Sequence, residues 1–315
     1  MTYENRTALI DCGTNTFNLL IVDINSPTDF TTIYSEKLPV KIGEGGIQFN
    51  SITNKAINRA IIALKSFKKT IDNYHVIHSN IKATATSAFR NATNADLVVD
   101  SILRETGLQI IIIDGTTEAT LIYKGVSTAV TLTDDNSLII DIGGGSVECI
   151  ICNKNGIQWL KSYEIGGQRL KAKYHIIDPI SKNNIDDLEN FLHQELEDLT
   201  SMCKKLNPTE IIGASGAFET LTEIYSNEQI INSHSNEILS YKLPLTPVLK
   251  IINNLITKNN NQRLAIKGMI PLRSEMIVVA GILLKVILKE TQIQKIKTTN
   301  YALKEGLVFT TFPLA

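Results

Sequence analysis

The chain has 315 residues, with 31 basic and 32 acidic side chains and a formal net charge of −1. That balance excludes a general attraction to nucleic acid or an anionic membrane, and a polyanionic ligand would have to be met by a local positive patch. The length suits two domains with separate cores better than one, and the ordinary apolar content describes a soluble globular protein.

The start, MTYENRTALID, has neither the basic first residues nor the apolar stretch of a secretory signal. Residues 9–25, LIDCGTNTFNLLIVDIN, read as a β-hairpin: an apolar strand ending in an acid, a tight turn of small residues and a second apolar strand. A second copy returns at residues 139–155 as IIDIGGGSVECIICNKN. Aligned without gaps, Asp11 meets Asp141, Gly13 meets Gly143, Thr14 and Asn15 meet Gly144 and Gly145, and Thr16 meets Ser146. In such turns glycine allows close backbone approach, while threonine, asparagine and serine add donors beside bared N–H groups, a combination that binds phosphate. Asp11 and Asp141, just before the turns, are placed to reach an oxygen-loving cation such as Mg2+ that neutralises the same phosphates. The duplication predicts two domains facing one cleft, with a chain of phosphates clamped between the turns.

Between the copies, residues 30–37 alternate like a third strand, and PVKIGEGGI at 39–47 reads as a loop. It is either a plain connection or a loop at the cleft mouth with Lys41 near phosphate. Thr53 is a candidate N-cap for a helix to about residue 73, with Ile57, Ala60, Ile61, Leu64, Phe67 and Ile71 on one face. After a strand at 81–86, Asn94 would cap a helix with Leu97, Val98, Ile102 and Leu103 on its apolar side. Arg90 falls in the turn before it, where the end of a strand in an α/β sheet points toward the ligand crevice. Residues 108–113 read as a buried strand feeding a helix capped by Thr116 or Thr117, with Glu118 in the first turn. Glu118 is either a simple dipole partner for that helix or, leaving the first domain just before the second hairpin, a cleft residue.

In the second hairpin Glu148 takes the place of Asn18 and lies on the same face as Ser146. It is either a partner of a nearby cation or a second acid at the metal. Cys149 and Cys152 have C-x-x-C spacing but sit in a strand, where residues three apart point to opposite faces, so buried reduced thiols and a cytoplasmic location are expected. A strand at 158–164 ends in IGGQRLKAKY, and a long amphipathic helix starts at Ser181. A strand at 209–212 runs into GASGAFETLTEI, a turn and helix that could also bind phosphate or a base edge. Residues 226–243 read as a polar excursion, followed by helices at 246–258, 263–267 and 273–289, the last opening on an Arg273–Glu275 pair. The longest apolar run, 276–288, is broken by Lys285 and is shorter than the about 20 residues of a membrane helix. A strand at 293–299 and a helix over YALKEGLVFTTF close the chain.

With these residues assembled, the sequence resembles the exopolyphosphatase and guanosine pentaphosphate phosphohydrolase (Ppx-GppA) family. LIDCGTNTFNLLI and IIDIGGGSVECII look like its two phosphate motifs, and TTEATLIYKGV like the segment of its catalytic glutamate; TSAFRNA, GASGAFETL, PLRSEMIVVAG and ALKEGL match in order. The resemblance implies an α/β, two-domain actin/Hsp70/sugar-kinase-like (ribonuclease H-like) fold with an interdomain cleft. Its first domain would be residues 1–119 completed by 299–315, and its second 120–298. It implies Glu118 as the base that activates water, with Arg90 adding positive charge. Gly13, Thr14, Asn15, Thr16, Gly143, Gly144, Gly145 and Ser146 would hold phosphate, and Asp141, Glu148 and Asp11 would be associated with Mg2+ or another divalent cation. Polyphosphate, with guanosine pentaphosphate as the alternative, is the implied substrate, and a homodimer the implied assembly; a non-catalytic alarmone or polyphosphate sensor is the rival from another class. Two departures stand out. Thr14 and Thr16 replace the commoner serine, and TTEAT lacks the second acid before Glu118 and the arginine at Thr120, which bears on substrate contacts. The chain also ends without the helical C-terminal domains of long members, from which weaker processivity and a preference for shorter chains are expected.

Overall fold

The structure is a computed structural model and describes residues 5–26, 29–229 and 239–310. The chain divides into two compact units, one running to Thr128 and resuming at Ala302, the other spanning Ala129–Tyr301.

In the first unit β1 (Arg6–Cys12), β2 (Thr16–Ser26) and β3 (Asp29–Pro39) form an antiparallel meander, and β4 (Ile81–Ala85) and β5 (Ile111–Ile112) extend it in parallel, in the order β3-β2-β1-β4-β5. β1 is almost wholly buried whereas β3 alternates and is largely exposed, as expected of a central and an edge strand. α1 (Asn54–Asn73) packs on this sheet because Ala56, Ala60, Ala63, Leu64, Phe67 and Ile71 recur at helical spacing and are buried. The Thr53 side chain accepts from Ala56 N at 3.3 Å, so the expected cap is the one observed. Phe67 is fully buried, and truncating such a side chain to alanine costs about 3–5 kcal/mol.

Three local expectations for this unit are modified. The one-turn α2 (Ser87–Arg90) precedes α3 (Ala95–Thr106), and Asn94 stands at the N-cap position of α3 as expected but makes no side-chain capping bond there. Its amide instead bridges the backbone of Ile52, accepting from N at 3.0 Å and donating to O at 2.9 Å. Val98 and Ile102 are buried, but Leu97 and Leu103 are 72% and 44% exposed, so the buried stripe is narrower than the pattern suggested. Residues 108–110 and 113 stay outside β5, which has two residues.

α4 (Gly115–Ala129) follows β5. A Cβ on Gly125 would clash with the Ala302 carbonyl, and one on Gly306 with the Leu121 carbonyl, so glycine at both places lets α4 and α12 (Leu303–Gly306) cross in contact. α4 therefore belongs to the first unit nearly to its end. The division falls after Thr128 and Tyr301, where residues 119 and 298 were expected as the last of their segments.

In the second unit β6 (Ser137–Ile142), β7 (Val147–Asn153) and β8 (Gly156–Tyr163) form the same meander. β9 (Glu210–Ala214) and β11 (Lys295–Thr299) extend it in parallel, and β10 (Ser240–Pro244) adds an antiparallel edge, in the order β10-β11-β9-β6-β7-β8. Apart from β10, the topology repeats that of the first sheet. The helices are α5 (Gly167–Tyr174), α6 (Lys182–Glu195), α7 (Glu197–Leu206), α8 (Ser215–Gln229), α9 (Leu245–Ile256), α10 (Asn260–Leu264) and α11 (Ile277–Thr291). The expected long helix from Ser181 is thus two helices, broken at Leu196, although Ser181 caps the first, its side-chain oxygen accepting from Asn184 N. The polar excursion expected at 226–243 lies partly outside the described residues; α8 runs to Gln229 and β10 begins at Ser240. α11 is buried along almost its whole length against α6 and α9, which explains its near-continuous apolar sequence. Among the described residues no helix is long and apolar enough to cross a membrane. The four cysteines are buried and free.

Candidate active site

Both hairpins close with the same register. Gly13 N donates to Thr16 O at 3.1 Å, and Gly143 N donates to Ser146 O at 3.0 Å. Asp11 pairs across the first ladder with Asn18, and Asp141 across the second with Glu148. What differs is the backing. In the first turn Thr14 O accepts from Gly43 N at 3.2 Å, and Asn15 O accepts from Val40 N at 3.0 Å and Lys41 N at 2.8 Å. In the second, Gly143 O, Gly144 O and Gly145 O accept from Gly167 N, Gln168 N and Gly166 N at 2.9, 2.8 and 3.1 Å, and Arg169 Nε also donates to Gly145 O at 3.0 Å.

A trans peptide aims its N–H opposite to its carbonyl. With those carbonyls turned toward their backing segments, the N–H groups of Asn15 and Thr16, and those of Gly144, Gly145 and Ser146, are directed to the opposite side of their turns. Successive N–H groups directed to one side form an anion-binding concavity. Glycine is required beneath the second turn: a Cβ on Gly166 would lie 2.5 Å from Gly144 C and from Gly145 N. Beneath the first, a Cβ on Gly43 would lie 2.8 Å from Thr14 Cγ2, so the methyl that distinguishes threonine from serine fills the space over that glycine. Thr14, Asn15, Thr16 and Ser146 are all buried.

The carboxylates beside the turns are differently furnished. Asp11 Oδ2 accepts from Asn18 Nδ2 at 3.0 Å. Asp141 and Glu148, opposed on neighbouring strands, are 6% and 1% exposed. Asp141 Oδ1 takes a short hydrogen bond from Ser215 Oγ, and Glu148 Oε1 accepts from Ser162 Oγ at 2.7 Å. Two acids on one face of a sheet, with hydroxyls beside them and an anion-binding turn at the end of their strands, fit Mg2+, which binds through one or two carboxylates plus substrate phosphate and water. Among the described residues no three His, Cys, Asp or Glu side chains gather as a metal-ligand group.

Glu118 is 6% exposed in the first turn of α4. Its Oε2 accepts from Arg90 Nη1 at 2.9 Å, and the same nitrogen donates to Ile113 O at 3.1 Å. Arg90 thus ends α2 and binds the glutamate. The pair is largely shielded, with side chains 17% and 8% exposed, so Arg90 and Glu118 fix each other's position. The cap of α4 is Asp114, which accepts from Thr117 N at 2.6 Å, rather than Thr116 or Thr117. That bond holds the Asp114 carboxyl below the usual carboxylate range.

Three residues were not anticipated. Ser162 and Ser215 hold the two second-unit acids, and Ser215 does so at φ 62°, a left-handed conformation that is strained for serine. Arg273 does not pair with Glu275, which binds Lys171 instead. The Arg273 guanidinium lies where a Cβ on Gly216 would have to go, at the start of α8. Burial lowers its pKa from the ordinary arginine value, opposed by the nearby carboxylates of Glu219 and Asp141. The sequence signal for Ser215 is the small-residue turn GASGAF, which by pattern alone fits a phosphate or base-edge site and a well-packed turn equally.

The model of the Ppx/GppA phosphatase family matches residues 20–315. The chain is similar to a crystal structure of an exopolyphosphatase from Cytophaga hutchinsonii, with TM-score 0.92, 40% identity and 97% of each chain covered. It is 33% identical over 305 residues to the bifunctional 3-dehydroquinate synthase/phosphatase of Fusobacterium nucleatum, covering 91% of this chain and 44% of that protein's length. It is 24% identical over 308 residues to exopolyphosphatase 1 of Mycobacterium leprae, covering 96% of this chain and 88% of that one. A crystal structure of the Aquifex aeolicus family member shares the fold, with TM-score 0.77, 22% identity and 96% of each chain covered. The chain belongs to the Ppx/GppA phosphatase family.

Proposed function

We propose that the protein is an exopolyphosphatase that releases terminal inorganic phosphate from polyphosphate. The observation that supports this reading most is the pair of turns whose N–H groups are oriented alike by different backing segments. Phosphoryl transfer spreads charge over oxygens in a loose transition state, so positioning and electrostatics are the main contributions a protein can make. Thr14, Asn15 and Thr16 from the first unit, and Gly144, Gly145 and Ser146 from the second, donate to oxygens of the bound chain, while Gly13 and Gly143 close the two turns through their own N–H groups and line the phosphate site. Glu118 accepts a proton from the attacking water as its oxygen bonds to the terminal phosphorus. The anhydride bond on the far side breaks, and its electron pair leaves on the shortened chain. Arg90 holds Glu118 in place and adds positive charge. Asp141 and Glu148, with Asp11 from the first unit, would hold a divalent cation, whose chemistry is to neutralise phosphate charge.

The family name covers both substrates, and the same atoms would serve guanosine pentaphosphate. The test is phosphate release from polyphosphates of graded length and from guanosine pentaphosphate, with and without Mg2+. Faster release from polyphosphate, strongest for short chains, is expected. Release from guanosine pentaphosphate alone would make that the substrate, and tight binding of either with no release under any divalent ion would make the protein a sensor. Sizing in solution tests the homodimer, and cell fractionation the cytoplasmic location.

A further inference from the structure

The first turn is closed by its own Gly13 N–Thr16 O bond but leans on a neighbouring loop for the direction of its peptide planes. The carbonyls of Thr14 and Asn15 lean on the amides of Val40, Lys41 and Gly43, so a loop beyond β3 sets the direction of the N–H groups at Asn15 and Thr16. That loop is irregular, and one side chain grips it. Arg59, on α1, donates from Nε to Val40 O at 2.7 Å and from Nη2 to Lys41 O at 2.8 Å. The guanidinium therefore takes the carbonyls of the same two residues whose amides take Asn15 O. Lys41, between these anchors, has φ 49°, a left-handed conformation that is unfavourable for lysine and persists only where its surroundings over-determine it.

Arg59 Nη2 also meets Glu44 Oε2 at 3.1 Å, with side chains 35% and 52% exposed. An ion pair that open to water contributes little, so it does not account for an arginine here. A planar fork reaching two adjacent carbonyls does, because lysine cannot reproduce that geometry.

We propose that Arg59 is a positioning residue for the first phosphate turn, acting through the backbone of Val40 and Lys41. Its kinetic consequence rests on the phosphate reading above, while its structural consequence does not. The test compares the full-length wild type with Arg59→Lys and Arg59→Ala. Hydrogen exchange at the amides of Val40, Lys41 and Gly43, referenced to β6 amides, is expected to rise about tenfold or more in both variants. With tripolyphosphate as substrate, KM is expected to rise about tenfold and kcat to stay within about twofold.

Unchanged exchange at the three amides overturns the proposal whatever the kinetics. So does an Arg59→Lys variant with wild-type exchange and KM, which would reduce the role to charge. Lower kcat and melting temperature with unaltered KM would mean ordinary structural support and would also overturn it. A wild type that releases no phosphate removes the exopolyphosphatase reading, and the exchange comparison then decides this proposal alone.

Discussion

The two hairpins share a register and a turn but solve the problem of holding that turn in different ways. In the second unit the carbonyls of residues 143–145 are bonded by the amides that open α5, so the turn is mounted on a helix and on Gly166. In the first unit the same job falls to an irregular loop that is itself gripped from α1. The electrostatics differ in parallel. The helix-backed turn sits beside two opposed acids, Asp141 and Glu148, while the loop-backed turn sits beside an acid already satisfied by an amide, Asp11 with Asn18. Both copies keep the turn register, whereas of the two hairpins the second alone sets one acid opposite another. The lesson is that a repeat constrains the backbone of a motif more tightly than its charges.

The largest effect expected lies outside both turns. Glu118→Gln should lower phosphate release by about 10²–10⁴-fold, the range for loss of a general base, with a circular dichroism spectrum like that of the wild type. A folded variant of undiminished rate would remove Glu118 from the role. Next, Asp141→Asn and Glu148→Gln should each raise the Mg2+ concentration needed for half-maximal rate by about tenfold or more, and Asp11→Asn by much less. Equal shifts for Asp11 and Asp141 would contradict the asymmetry.

The backing segments can be compared by adding one methyl to each. Gly166→Ala sets a Cβ against backbone, which cannot give, and should destabilise the second unit by about 1–3 kcal/mol in urea denaturation. Gly43→Ala meets side chains, the Thr14 methyl at 2.8 Å and Ile47 Cδ1 at 3.1 Å, so its effect should be smaller and should be partly reversed by Thr14→Ser in the same chain. A double variant no better than Gly43→Ala would show that the loop itself, not that methyl, is the obstacle.

The smallest expected effect is on pH dependence. The Asp114 carboxyl has a folded-state pKa below its ordinary value because of its bond to Thr117 N. Its contribution is then fully present above the unfolded value near 3.9 and is lost as pH falls through the lower folded one. Asp114→Ala should cost about 1 kcal/mol at neutral pH, the typical value of an N-cap. The gap to wild type should be constant down to about pH 4 and close below it, as read by thermal unfolding. A gap that widened on acidification would give the shift the opposite sign.

How far the sequence could be read follows from the range of the interactions involved. The hairpins, the Thr53 cap and the buried stripe of α1 depend on neighbours within a few residues, and all were legible in the pattern of apolar and small residues. Asn94 looked like a cap by the same rules, but Ile52 competes for its amide from a distant segment. Ser215 reaches Asp141 across 74 positions, and Lys171 takes Glu275 across 104, so neither pairing has a local signature. The loop at 39–47 could be read only as a connection or a phosphate-proximal segment, because its bonds to Thr14, Asn15 and Arg59 form in three dimensions.

Whether both turns hold phosphate is tested most directly by following backbone amide resonances of the isotopically labelled protein as tripolyphosphate is added with Mg2+. The amides of Asn15, Thr16, Gly144, Gly145 and Ser146 are expected to shift together along one titration curve with a single Kd. Shifts confined to one turn, or two curves with separate affinities, would contradict a common phosphate chain held by the pair.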